Sequence, residues 1–375
     1  LGEDTDIYLA RVNTSPDGTI AVQKQSRDQR VLELIFVDPD TLQQSVVLTE
    51  TQPNWINLHS DLTFINEGAQ FIWTSERSGF NHIYLYQKDG KLVRQLTEGA
   101  WMVAQTSRSG GGVRAVDEEN GVVWFVGWRD TPTENHLYRV SLDGGEVTQV
   151  TESGGWHQAS VAPDGSFFVD SGQAPMRPPY TAIHNAEGEL LTYVTENALN
   201  DEHPYAPFVD GHRPFSFDSI ETDDGTQLHY QVALPANFDP EKIYPAVVYF
   251  YGGPGVGQQV RKVWPVEGGL GGMRQILARN GYVVFTLDNR GTPNRGKAFE
   301  DVLFRNMGDY EVQDQLLGLE WLKSQPYVDA ENVGVYGWSY GGYLTLMLLT
   351  KSPGSYTAGI AGAPVTNWRL YDTHY

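Results

Sequence analysis

"GVYGWSYGGYLTLMLL", residues 334–349, joins an apolar run to a helix-forming run and places Ser339 at the seam, between Gly337 and Gly341. The Gly-x-Ser-x-Gly spacing alone is weak in a chain with 40 glycines. Its context gives it meaning. A buried strand before the serine and a helix after it, with Gly337, Gly341 and Gly342 letting the two pack closely, form a nucleophile elbow. Such a turn lifts a hydroxyl above the carboxyl edge of an α/β sheet. The alternative is a serine capping a helix in some other α/β fold.

Outward from that turn the same texture continues. "LHYQVALP" (228–235), "YPAVVYFY" (244–251), "GYVVFTLD" (281–288), "NVGVYG" (332–337) and "AGIAGAP" (358–364) read as strands. "GGMRQILARN", "EVQDQLLGLEWLKSQ" and "GGYLTLMLLTK" read as helices between them, the second with Val312, Leu316, Leu319 and Leu322 on one face. Strands alternating with helices predict a mostly parallel, doubly wound sheet, an α/β-hydrolase domain over residues 206–375.

The first 200 residues differ. Short β-branched and aromatic segments alternate with turn signals at "SPDG" (15–18), "KDG" (88–90), "LDGG" (142–145) and "APDG" (162–165). Thr-Glu pairs recur at 49/50, 97/98, 151/152 and 195/196, and "HIYLYQKDGKLVRQLTE" aligns without a gap on "HLYRVSLDGGEVTQVTE". Repeats of that length with about four strands each predict a partial β-propeller of about four blades over residues 1–205, rather than a β-sandwich. The first unit reads as lacking its early strands, and further blades are expected before Leu1. The proline-bearing stretch 197–214 reads as a linker.

Composition narrows the partners. Lys and Arg number 26 against 47 Asp and Glu, for a net charge of −21. Such a surface repels phosphate backbones and anionic lipid, so nucleic acid is excluded as a partner. With no cysteine there is no disulfide, thiolate metal site or cysteine nucleophile. Neither a metal nor a cofactor is expected. No apolar run is long enough for a membrane-spanning helix. The opening "LGEDTDIYLARV" has the look of a cut end.

A serine nucleophile needs a base, usually a histidine oriented by an acid. In this fold both follow the serine. Downstream of Ser339 stand only Asp372 and His374, too close together to come from separate loops, and both read as non-catalytic. The base and acid are therefore expected beyond Tyr375, and this chain alone is expected to be inactive. For the oxyanion, the backbone N–H of Tyr340 is one candidate donor. Tyr251, where a strand runs into "GGPG", is either a second donor or a core aromatic.

At "YGGPG" (251–255), "DNRGTPNRGKAFED" (288–301), "GWSYGGY" (337–343) and "APVTNWRLYDTHY" (363–375) the chain resembles the prolyl oligopeptidase family of serine peptidases, in its dipeptidyl peptidase IV branch. The resemblance covers both halves, and Trp338 and Tyr340 beside the serine favour that branch. It implies Ser339 as nucleophile, Tyr251 and the Tyr340 N–H as oxyanion hole, and Tyr340, Val365, Trp368, Tyr371 and Tyr375 as the pocket for a penultimate proline. An aromatic ring of walls suits a rigid pyrrolidine that has no N–H to satisfy.

The implied activity is release of X-Pro or X-Ala dipeptides from peptide amino termini. Acylaminoacyl peptidase, prolyl endopeptidase and a non-enzymatic binding module are the alternatives. The branch's paired glutamates for the substrate amine have no match here, since Glu118-Glu119, Asp201-Glu202 and Asp223-Asp224 sit in turn-like contexts. They are expected upstream of Leu1. The resemblance also implies a homodimer through the hydrolase domain and, from bacterial members, export or a periplasmic home. The sequence itself leaves the compartment open.

Overall fold

Residues whose apolar side chains recur every second position, between glycine-bearing turns, form four antiparallel four-stranded meanders in succession. The computed structural model describes residues 5–105, 111–266 and 268–372. The first sheet holds β1 (Ile7–Thr14), β2 (Ile20–Ser26), β3 (Val31–Val37) and β4 (Gln44–Thr51). The second holds β5 (Thr63–Ile65), β6 (Gln70–Ser75), β7 (His82–Gln87) and β8 (Leu92–Gln95). In the third, β10 (Val113–Asp117), β11 (Val122–Trp128), β12 (His136–Ser141) and β13 (Thr148–Gln149) follow in order, with β9 (Met102–Val103) added beside β11. The fourth holds β14 (Trp156–Val161), β15 (Phe167–Ala174), β16 (Arg177–Asn185) and β17 (Leu190–Thr195). The expectation that the first unit lacks its early strands is corrected: β1 and β2 pair from Ile7 to Ser26. Polar residues such as Arg11 and Asn13 on this edge strand hid β1 in the sequence.

Each meander packs on the next as the blades of a propeller do. Leu32, Leu34 and Phe36 meet Phe71, Trp73, Tyr84 and Tyr86 of the second sheet. Ile72, Ile83 and Leu85 from its other face meet Val123, Phe125 and Tyr138 of the third. Trp124, Val126 and Leu137 meet Trp156, Ala159 and Phe168 of the fourth. The middle strands of the second and third sheets are thus buried on both faces, while β15 and β16 of the fourth bury alternate residues. Each large side chain removed from water contributes about 1.5–3 kcal/mol. The aligned repeat has a structural cause. His82 Nδ1 lies 3.0 Å from Thr97 Oγ1, which also accepts from the Ile83 N–H, and His136 Nδ1 lies 3.1 Å from Thr151 Oγ1, which accepts from the Leu137 N–H. Thr97 and Thr151, the threonines of the second and third Thr-Glu pairs, thus each tie the end of a blade to its third strand.

After a 3-10 turn at Ala206–Gly211 the chain enters a six-stranded sheet. Its strands are β18 (Ser216–Glu221), β19 (Gln227–Ala233), β20 (Tyr244–Phe250), β21 (Val283–Leu287), β22 (Val328–Trp338) and β23 (Ala358–Gly362). The order across the sheet is β18-β19-β21-β20-β22-β23. The first two are antiparallel to their neighbours and the last four are mutually parallel. Helix α1 (Gly268–Arg279) packs Leu277 and Ala278 near Val284 on one face. Helices α3 (Tyr310–Lys323) and α4 (Tyr340–Lys351) cover the other, where Val312, Leu319, Leu322, Leu344 and Leu348 bury Val283, Phe285 and Leu287. A one-turn α2 (Lys297–Glu300) lies between β21 and α3. The fold is a propeller followed by a doubly wound α/β-hydrolase sheet. No helix among the described residues is long and apolar enough to cross a membrane.

The two parts are stapled together. The Lys262 N–H donates to the Thr133 carbonyl at 2.8 Å, and Lys262 Nζ pairs with Glu134. Trp264 N–H reaches Gln173 Oε1 at 2.9 Å. On the other side Lys297 lies over the Trp55 ring at 4.0 Å, and Asn57 Nδ2 donates to both Glu300 (2.8 Å) and Glu76 (3.1 Å).

Candidate active site

Strand β22 ends at Trp338 and α4 begins at Tyr340, so Ser339 alone makes the turn. It does so at φ 57° and ψ −114°, backbone that residues bearing a Cβ rarely adopt. The neighbouring glycines are required by contact. A Cβ on Gly337 would lie 2.1 Å from the Gly341 carbonyl oxygen, one on Gly341 2.6 Å from that of Phe250, and one on Gly342 2.4 Å from that of Gly362. Strand and helix therefore approach closely enough to leave Ser339 partly exposed at the carboxyl end of the parallel strands.

Tyr251 follows the carboxyl end of β20, the strand paired with β22. It is half-buried, and its ring stacks on that of Tyr340 with centroids 6.1 Å apart. The glycine turn after it is shaped by that neighbour: a Cβ on Gly253 would fall 2.6 Å from the Tyr340 ring. Asn289 Nδ2 holds the Gly252 carbonyl at 2.9 Å, and Asp288, one residue earlier, accepts the Gln259 and Val260 N–H groups at 2.8 and 2.9 Å. Burial pushes the Asp288 carboxyl up to about 6 against those two hydrogen bonds. Arg290 grips Asp314 on α3 through Nε and a terminal nitrogen. The "DNRG" stretch is thus the frame that holds the Tyr251 loop.

Four of the expected pocket and oxyanion residues come together. The Trp368 ring lies 5.7 Å from Tyr340 and 5.6 Å from Tyr371. Val365 is half-buried in the same segment. Tyr375 and His374 lie outside the described residues. Two further groups join that sequence reading missed. Tyr343 packs edge-on against both Tyr340 (5.5 Å) and Trp368 (5.2 Å). Glu311 of α3, fully buried, accepts the Tyr340 hydroxyl at 2.5 Å. Tyr343 was readable as an i+3 neighbour of Tyr340. Glu311 carried one signal, a carboxylate next to the apolar stripe that starts at Val312.

Tyr251 and Tyr371 line a cavity of about 610 Å³ between the first blade and the hydrolase sheet. Trp55, Asn57, Gln105, Pro254 and Glu300 contribute further walls. A cavity of about 370 Å³ adjoins it through Gln105, Gly255, Val256, Pro293 and Asn294. The site therefore opens toward the propeller.

Among the described residues no side chain hydrogen-bonds the Ser339 hydroxyl. The described histidines are engaged elsewhere: His136 with Glu134 at 2.9 Å, His157 with Asp170 at 2.8 Å, and His212 stacked on Trp264. His59 is buried and held far below its ordinary value by desolvation, to about 3. His229 sits on β19, which two strands separate from β22. No cluster of three metal-ligating side chains occurs among the described residues.

Residues 1–179 match the family model described as the dipeptidyl peptidase IV (DPP IV) N-terminal region, and residues 271–375 match that of the prolyl oligopeptidase family. The chain is 33% identical to dipeptidyl peptidase 8 of Homo sapiens over 98% of its own length and 43% of that protein. The dipeptidyl peptidase 8 of Mus musculus gives 33% over the whole chain and 45% of its length. The crystal structure of Porphyromonas gingivalis dipeptidyl peptidase 4 superposes on the whole chain with a TM-score of 0.89 at 29% identity, covering 51% of that protein. The chain thus spans less than half the length of these curated relatives. Across that span it carries the propeller and hydrolase parts of the prolyl oligopeptidase family, in its dipeptidyl peptidase IV branch.

Proposed function

We propose, from that family membership, that the intact protein is a serine exopeptidase that releases X-Pro and X-Ala dipeptides from peptide amino termini. The observation that carries this reading is the placement of Ser339, at φ 57°, beside the contiguous aromatic cluster of Tyr251, Tyr340, Trp368 and Tyr371. In the proposed division, residues 1–205 bear the propeller blades and residues 206–375 the hydrolase sheet.

Ser339 Oγ attacks the carbonyl of the penultimate residue while its proton passes to a histidine. The oxyanion that forms is met by the Tyr340 N–H and the Tyr251 hydroxyl, donors worth more in a site closed to water. The imidazolium then protonates the departing amine, and water hydrolyses the acyl-enzyme by the same route in reverse. The base is not one of the described histidines. We place it, with its acid, after Tyr375, in the chain order of this fold. Tyr340, Val365, Trp368, Tyr371 and Tyr375 wall the pocket for the proline ring, which gains apolar contact on its faces. The substrate amine is met by glutamates placed before Leu1.

The test uses the full-length protein with chromogenic H-Gly-Pro, H-Gly-Ala and N-acetyl-Gly-Pro substrates. Release from the first two, absent from the acetylated one and abolished by Ser339→Ala, is expected. Preference for the acetylated substrate moves the protein to an acylaminoacyl peptidase or endopeptidase. No Ser339-dependent release from any of them leaves a binding module.

A further inference from the structure

Glu311 is a buried acid that the reaction just described does not use. Placing a carboxylate in a core is unfavourable unless donors surround it. Here they do: the Gly308 N–H reaches both Glu311 oxygens at 2.9 Å, and the Tyr340 hydroxyl donates at 2.5 Å. Burial raises the Glu311 pKa in spite of these bonds. A Leu or Met at this point of α3 would pack on the sheet without that requirement, so the carboxylate answers to something other than apolar packing.

What it answers to is the Tyr340 ring. That ring is held at both ends, its Cβ by the turn that carries Ser339 and its hydroxyl by Glu311. Gly253 lies against one side, leaving no room for a Cβ, and Trp368 stands 5.7 Å away. A phenol in so buried a position needs an acceptor, and Glu311 fixes its direction as well as satisfying it. Because the same residue supplies the N–H after the serine, a tilt of the ring also disturbs the start of α4.

We propose that Glu311 is a positioning residue which, through the Tyr340 hydroxyl, fixes the ring plane that meets the penultimate side chain and so sets the preference for proline over alanine. This rests on the exopeptidase reading above. A rigid pyrrolidine fills the pocket and feels a tilted wall, whereas an alanine methyl leaves slack and does not. Glu311 itself touches no substrate atom.

The test is the ratio of kcat/KM for H-Gly-Pro over H-Gly-Ala substrates, measured on the full-length protein. A ratio is unaffected by the fraction of folded enzyme, so a purely structural role leaves it constant. Glu311→Leu is expected to lower it about tenfold, chiefly through a higher KM for the prolyl substrate. Glu311→Gln, which keeps an acceptor for Tyr340, is expected to hold it within about threefold. If Glu311→Leu does not fold, Tyr340→Phe removes only the hydroxyl and is expected to lower the ratio alike. An unchanged ratio in Glu311→Leu or, failing that, in Tyr340→Phe overturns the positioning role alone. A wild type without Ser339-dependent release overturns the exopeptidase reading and this inference with it.

Discussion

The Ser339 N–H donates to the Gly362 carbonyl at 2.9 Å, tying the turn to the last described strand of the sheet. The bond holds Ser339 in left-handed backbone that a glycine would adopt without strain. Ser339→Gly is therefore expected to be more stable than Ser339→Ala by about 1 kcal/mol, with both devoid of peptidase activity. Chemical denaturation of the two variants checks this. Equal midpoints would show that the turn is not strained.

Tyr251→Phe removes one proposed oxyanion donor and leaves the ring stack on Tyr340. In the full-length protein kcat is expected to fall about 10²-fold, with KM within about twofold. A loss confined to KM would place the hydroxyl in ground-state binding instead.

The histidines of residues 1–372 hold other partners or lie away from the serine, so residues 1–375 produced as a polypeptide are expected to show no turnover of H-Gly-Pro substrates. Ser339-dependent turnover by that polypeptide would place the base within it, with His374 as the first residue to substitute.

The Glu76 and Glu300 carboxyls share the Asn57 amide across the propeller–hydrolase interface, with Lys297, Asp301 and Gln105 the other polar groups about them. Burial raises both pKa values, with the Lys297 charge opposing it. An acid with a raised folded pKa keeps a proton that the unfolded chain has released. Its ionisation thus destabilises the fold as pH climbs from about 4.5, the ordinary value, through the raised one. Glu76→Gln is expected to melt higher than wild type at pH 8, with the difference shrinking toward pH 5. A difference independent of pH would mean that Glu76 is ionised throughout.

Much of this was legible in residues 334–349 and in the repeated "LTE" and "VTE" ends, because strand-to-helix seams and blade repeats are local patterns. β1 and β18 were not, since edge strands with polar faces lack the alternation that burial imposes. In the site, Tyr251 and Tyr340 could be singled out beside their glycines. Glu311, Asn57 and Glu76 could not: each acts on a residue at least 19 positions away, and no spacing rule connects them. The "DNRG" stretch carried the family likeness, yet only contacts reveal that Asp288 and Asn289 frame the Tyr251 loop.

The segment that begins at Tyr251 has two owners. Seven and eight residues on, Gln258 and Gln259 answer to opposite hosts, the first donating to the Pro132 carbonyl of the propeller and the second to Asp288 of the sheet. A replacement propeller would inherit the reaction's electrostatics only if it reproduced the main-chain acceptors at Pro132 and Thr133. Recombining the two parts with relatives should therefore succeed when the crossover carries residues 132–133 along with 258–262, and give a folded but sluggish chimera when it separates them.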